Sequence, residues 1–476
     1  MSTDKRPDMP LGEDQALEAV EFGLQESPAD ATEVLILAEN TDLTRFANLA
    51  IHQNVAETQY QIYFRTVWNG RLVVVKGNDL SEEAVKKALL RSEELAATVT
   101  PSAVLPDFAH PVQSAATDGR QDVVTFNPAT ANCGAEERAH IVDRVCNVFH
   151  SCGVSGAGNV RVRRLEMAVG NSAGLRRYAP FSIIALVAVA LDAANNASGY
   201  NTWIGRDIEA MDAESSAMHA AVKCLMGRSP KLIEARPMTA ILEPPAVAQL
   251  FFHLNFRSLG VWGAQSAGNR DNIVFDNLGE RITASDISVY DEMMTDGLAP
   301  MPFDYEGVEK QRLDLIVNGV AKGIAHDLTS AARFGHAPTG HAQMPGNEFG
   351  PSPQHLVIEG GDSSVSDLIE STEYGVLVSR IHGFVSPLSG KEGHMAGTTR
   401  DGLFLVENGR ITGPIRNFRW MDRMFSAFET VEGISRERKV QFTDELWFPT
   451  CVVAPTIKLG RFNFIDVQRW TEERSP

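Results

Sequence analysis

Residues 242–258 read LEPPAVAQLFFHLNFRS. Pro244 and Pro245 can begin a helix but cannot stand inside one, so a helix starts about there. Val247, Leu250, Phe251 and Leu254 then recur at the three-to-four spacing that gathers side chains on one helical face. His253 lies beside that face. A metal site on this helix needs a second ligand about one turn away, and zinc takes thiolate, imidazole or carboxylate. The neighbours are Gln249, Leu250, Leu254, Phe256, Arg257 and Ser258, and none of them serves. Taken alone, His253 reads as a core or interface histidine.

Around this stretch the chain is that of an ordinary globular protein. Its 476 residues allow two or more domains with substantial cores. Hydrophobic residues make up 43% and charged ones 22%, which excludes a disordered chain. The formal charge of -18 repels phosphate backbones and anionic membranes, so neither nucleic acid nor membrane is an expected partner. Five scattered cysteines form no C-x-x-C pair, which argues against a disulfide framework or zinc ribbon and for a reducing compartment. The opening MSTDKRPDMPLGEDQ has no apolar core of a signal peptide. The apolar run 180–191, PFSIIALVAVAL, is too short for a membrane helix and its β-branched residues favour a buried strand. Cytoplasm is the expected location.

Upstream, residues 1–30 read as a solvated tail ending in a short amphipathic helix over 13–25. A strand follows at 33–39, then a hairpin of 59–68 and 71–76 about Asn69-Gly70. Ser81 is an N-cap, with Glu82 and Glu83 in the first turn of a helix that runs toward Thr98. A second helix spans 135–151. Residues 153–161, GVSGAGNVR, lack the Lys-Ser/Thr of a P-loop and follow a helix, so they read as a loop. Strand pattern occupies 160–193, and 207–227 is helical with Ala217, Ala220, Ala221 and Leu225 facing inward. Downstream of residue 236 short strands predominate, at 272–275, 282–289, 312–317, 375–381 and 403–406, the last turning at Glu407-Asn408-Gly409. The fold class is therefore α+β: a mixed N-terminal domain over 31–235 and a β-rich C-terminal domain over 236–476.

Isolated chemistry is sparse. His150 and Cys152 are neighbours in sequence only, and a Cys/His nucleophile pair is built by the fold. His336 and His341 in GHAPTGH are separated by a turn. Asp304 and Glu306, in FDYEG, would share a face if they alternate on a strand, where like charges raise a pKa. A hydrogen-bonding role at a strand end is the simpler reading.

Four segments, in order, resemble one family. LTRFANLAIHQN at 43–54 is similar to the TRFANS-x-IHQN signature of the TldD/PmbA family, with Leu49 for the usual serine. FDYEGV at 303–308 is similar to its FDDEGV, residues 335–342 to its S-TGNA turn, and 374–415 to its C-terminal glycine-rich block. The resemblance implies a heterodimeric metallopeptidase in which a TldD-type subunit binds zinc through an H-E-x-x-x-H helix and a cysteine. Set on that pattern, Pro245 and His253 keep the spacing, but Leu254 replaces the glutamate and Ser258 the second histidine. Near Ala396, where the cysteine belongs, stand His394 and Met395. Leu254 cannot accept a proton from zinc-bound water, and Ser258 is a poor ligand.

The resemblance thus implies a TldE/PmbA-type subunit with no catalytic residues and no cofactor of its own. Zinc is expected in the TldD-type partner, with which this chain forms a heterodimer and encloses an unfolded or extended peptide, for degradation or for maturation of a modified peptide. The signature places Arg45, Asn48, His52 and Asn54 as channel residues. The alternatives are a self-sufficient metal-dependent hydrolase, built on His253 with His394, His336 or His341, and a DNA-gyrase modulator. The second lacks any basic cluster.

Overall fold

The computed structural model describes residues 9–110, 124–255, 273–292, 300–347, 350–389, 393–444 and 450–465. The N-terminal half runs α1 (Glu13–Gln25), β1 (Ala31–Ala47), β2 (Ala50–Trp68), β3 (Arg71–Gly77), α2 (Glu82–Ala96), α3 (Pro128–Ala131), α4 (Ala135–Ser151), β4 (Ser155–Asn171), β5 (Arg176–Asp192), β6 (Ala197–Gly205) and α5 (Ala213–Met226). Its strands form one antiparallel sheet in the order β3-β2-β1-β4-β5-β6.

Residue parity explains the layers, because successive strand side chains point to opposite faces. Even-numbered Val34, Ile36 and Phe64 pack with α1 and α2, and even-numbered Val160, Val162, Ile184 and Leu186 with α4 and α5. Odd-numbered Leu35, Leu37, Leu165, Met167, Phe181 and Ile183 face Met301, Phe303, Tyr305 and Cys451 from the C-terminal half. A strand buried on both faces has no alternation to show, which is why residues 180–191 read as a continuous apolar run.

The C-terminal half runs β7 (Pro237–Leu242), α6 (Pro244–Asn255), α7 (Ile273–Asp276), β8 (Val289–Asp291), β9 (Leu313–Val317), β10 (Val320–Ala321), α8 (Leu328–Phe334), β11 (His355–Ile358), α9 (Val365–Glu370), β12 (Tyr374–Ser389), β13 (His394–Glu407), β14 (Arg410–Pro414), β15 (Arg419–Arg423), α10 (Met424–Phe428), β16 (Val431–Asp444) and β17 (Thr450–Ile465). β7 pairs with β12 and with β17, while β12 pairs with β13, β13 with β15 and β15 with β17. These pairings close a circuit of five strands, and α6 packs against β12, β16 and β17. The α+β class holds, and no described helix is long and apolar enough to cross a membrane.

Four readings need correction. The glycine-rich 153–161 is not a loop but the start of β4. Gly156 and Gly158 are there for clearance: a Cβ would stand 2.2 Å from Phe149 and 2.0 Å from the Val187 carbonyl. The expected strand at 272–275 is the short helix α7, and Asn272 lies outside the described residues. Of the strand expected at 282–289, only Val289 belongs to one. The Ile282 amide instead donates to the Gly319 carbonyl, tying this segment to the β9–β10 turn. In α5 the fully buried position is Cys224, and Leu225 is half-buried.

Candidate functional site

α6 begins where the prolines place it, and eight of its twelve residues are buried, so it is a core helix on nearly every side. Phe251 stacks on Phe428 at 5.1 Å between ring centroids. His253 is half-buried with its ring edge-on to Phe252. Leu254 is fully buried in the same apolar cluster as Met395 and Phe425. The helix end and the start of β13 meet closely: a Cβ on Gly393 would stand 2.9 Å from Leu254 Cδ2 and 3.0 Å from Phe425 Cδ2. The structure therefore brings Leu254 to the segment carrying His394, and the atoms that meet at Gly393 are hydrocarbon.

The last turn of α6 is committed to structure. Asn255 Nδ2 donates to the Pro353 carbonyl at 2.7 Å, and Ser352 Oγ donates to Asn255 Oδ1 at 2.8 Å. Ser258 lies outside the described residues. Zinc needs several nitrogen, sulfur or carboxylate donors converging on one point. Among the described residues no group of three or more His, Cys, Asp or Glu does so. The residues present do not fit the zinc that the fold family implies, and no chemical step is assigned to this helix.

Arg45, Asn48, His52 and Asn54 are all exposed and lie together at the tip of the β1–β2 hairpin. The turn is Asn48-Leu49, with both residues at positive φ (50° and 61°). Arg45 pairs with Gln53 and Phe46 with Ile51, so His52 is the extra residue of a β-bulge. The four do not share one face. Arg45 reaches Gln53 on the odd-numbered side, whereas Asn54 Oδ1 accepts from Thr44 Oγ1 at 2.6 Å on the helix side. Arg138 of α4 donates in turn to Thr44 Oγ1 at 3.1 Å.

The less obvious feature is the outer edge of β2. β3 covers β2 only from Ile62 to Trp68, so among the described residues nothing pairs with the outer side from Ala50 to Gln61. Side chains there are exposed at nearly every position on both faces. Where β3 ends, Thr58, Gln59, Tyr60, Gln61, Lys76, Gly77 and Asn78 line a recess of 570 Å³. In sequence the signal was AIHQNVAETQYQ itself, a strand whose large apolar residues are only Ile51, Val55 and Tyr60.

Asp304 and Glu306 are buried, but in a turn rather than on a strand. Asp304 accepts from the amides of Glu306, Val308 and Ala342, which fastens FDYEGV to the GHAPTGHA segment. Glu306 accepts from the Leu328 amide at 2.7 Å and pairs with Arg65 of β2, which also holds Glu33 of β1 at 3.0 Å. Burial pushes Asp304 up to about 7 and Glu33 up to about 8. It raises Glu306 as well.

A second buried cluster joins Asp291 to Lys310 at 3.2 Å and to His341 Nε2 at 3.4 Å. Burial alone would raise Asp291; Lys310 and His341 outweigh it and hold the carboxyl well below its usual range. His341 is thus used internally, and His336 stands elsewhere, exposed beside His326. His150 is exposed and Cys152 caps α4. The motifs that stand out in sequence are joints between the two halves, and Arg65 and Glu33, which complete them, carried no sequence signal.

Among the described residues, this helix and the strands it packs on gather no cluster of metal-binding side chains. Residues 235–466 match the family model described as the PmbA/TldA metallopeptidase C-terminal domain. A metalloprotease of Methanocaldococcus jannaschii is 25% identical over 44% of this chain and 47% of its own length. One from Methanothermobacter thermautotrophicus is 23% identical over 62% and 66%. The chain thus spans about half to two thirds of these relatives. The solved structure of TldE from Thermococcus kodakarensis has the same fold, with a TM-score of 0.81 over 94% of this chain and 100% of that one at 20% identity. The resemblance read in the sequence is borne out: the C-terminal half matches that family model, and the relatives and the fold agree with it.

Proposed function

We propose that this chain is the TldE-type, non-cutting subunit of a heterodimeric metallopeptidase. It walls the channel through which an extended peptide reaches zinc held by a TldD-type partner, for degradation or for maturation of a modified peptide. One observation carries the reading. At the position of the family's glutamate stands a fully buried Leu254, sharing an apolar core with Met395 and Phe425. A glutamate there would be stranded in hydrocarbon, and no water could be activated beside it. The five free thiols are in keeping with a reducing cytoplasm.

The open edge of β2 supports the peptide half of the proposal. An extended chain can add to such an edge through backbone hydrogen bonds alone, which is a sequence-tolerant mode of binding. Edges left open to solvent are normally blunted by lysine, proline or brevity, and residues 50–61 use none of these. In a strand the N–H groups point alternately to the two sides, so a proline scan of 53–58 is diagnostic. Every second position should accept proline without loss of fold, because its N–H faces the open side. At those same positions peptide capture by the heterodimer should fail.

The direct test is peptidase activity and zinc content of the purified chain, alone and co-expressed with a TldD-type subunit, on an unfolded peptide. The chain alone should cleave nothing, and the pair should cleave the peptide with zinc held in the TldD-type subunit. Zinc and cleavage from this chain by itself would overturn the proposal, and specific duplex binding in a gel-shift at physiological salt would redirect it toward DNA.

A further inference from the structure

At the two ends of α8 stand His326 and His336, the first just before the helix and the second just after its Gly335 cap. Their ring centroids are 4.9 Å apart with planes inclined at 36°. His326 is 5% exposed, and its Nδ1 is buried with no hydrogen-bond partner among the described residues. A buried imidazole nitrogen left unpaired is uncommon enough to need a reason. His336, by contrast, is exposed and gives access from solvent.

We propose that His326 and His336 form a surface site for a divalent transition metal of the zinc or copper class, with water completing the coordination. The spacing fits. With zinc–nitrogen bonds of about 2.0–2.1 Å and tetrahedral angles, two imidazole centroids on one ion lie about 5 Å apart. Imidazole also suits both metals, with copper the tighter.

Both rings stand on backbone that is already fixed. The Thr339 amide donates to the His326 carbonyl at 3.1 Å, and the His326 amide donates to Thr339 Oγ1 at 2.9 Å. The His336 amide donates to the Ala331 carbonyl at 2.9 Å, after Gly335 has turned the chain at φ 70°. Little ordering is left for the metal to impose. Burial and the neighbouring His336 lower the pKa of His326, which favours the neutral ring a metal requires.

The test uses the metal-free full chain, titrated calorimetrically with Zn2+ and examined by electron paramagnetic resonance with Cu2+. Loss of an outer-shell partner alone weakens metal binding about 10–100-fold, so His336→Ala, which removes a direct ligand, is expected to weaken Zn2+ by at least that much. Its exposed position leaves the fold intact, which circular dichroism checks. The Cu2+ spectrum should lose one nitrogen. His219→Ala, a change at an exposed histidine on α5, should leave binding as it was. Wild-type protein that takes up no metal, H336A that binds like wild type, or H219A that loses equally would each show the rings to be a stacking contact and end the proposal.

Discussion

Replacing Arg65 with methionine tests how the two halves are joined. Arg65 is 6% exposed and sits between Glu33, its cross-strand neighbour, and Glu306, which lies 241 residues away in sequence. Methionine keeps the length of the side chain and removes the cation. Breaking a buried ion pair by removing one partner costs about 3–5 kcal/mol, because the other charge is left uncompensated. Arg65→Met should lose that much at pH 7. Glu33→Gln should behave differently. Burial pushes Glu33 up to about 8, so at pH 7 the folded chain holds it protonated, and an amide is its near isostere.

The linkage has a definite sign. A folded-state pKa above the unfolded one gives stability that is fully present below the ordinary carboxyl value of 4.5 and is lost as pH rises through about 8. One proton changes stability by about 1.4 kcal/mol per pH unit within that window. Urea unfolding followed by tryptophan fluorescence at pH 6 and pH 8 reads both effects. Wild type should weaken toward pH 8, and E33Q should weaken less. An R65M chain within about 1 kcal/mol of wild type, or E33Q as damaged as R65M, would refute the reasoning.

His355 should make the acid side of the profile fall. Burial lowers it to about 4, so stability is full above about 6.5 and declines by up to about 3 kcal/mol as pH drops toward 4; His355→Gln should flatten that limb in the same urea series. Leu254→Glu should destabilise the chain by about 2–7 kcal/mol in differential scanning calorimetry and urea melts, the penalty for burying an unpaired polar group, and should gain no zinc. Leu49 holds φ 61° in the hairpin turn, a region that disfavours a bulky side chain. Leu49→Gly should therefore stabilise the chain by up to about 1 kcal/mol, with hydrogen exchange slowed at the tip.

What could be read from the chain was whatever is decided locally. The Asn69-Gly70 turn, the Ser81 cap and the Glu407-Asn408-Gly409 turn each follow from a residue's own conformational preference, and each is present. Gly156 and Gly158 were misread because their reason is distant. Phe149 of α4, Phe46 of β1 and the Val187 carbonyl occupy the space a side chain would need. The apolar character of the end of α6 and the start of β13 was legible, since Leu254 and Met395 speak through their chemistry. The seam was not, because Glu33, Arg65 and Glu306 are brought together only by the fold.

The edges of the N-terminal sheet are unequal. β6 abuts β13 and β16, and Ser198 and Tyr200 on it engage Asp401 and Arg380. The outer side of β2 from Ala50 to Gln61 has no such cover among the described residues. A sheet with two open edges can propagate into a filament, each added strand exposing the next. With one edge stoppered by its own chain, this molecule can recruit a strand but cannot relay the offer. Whatever docks there ends in a complex of fixed size.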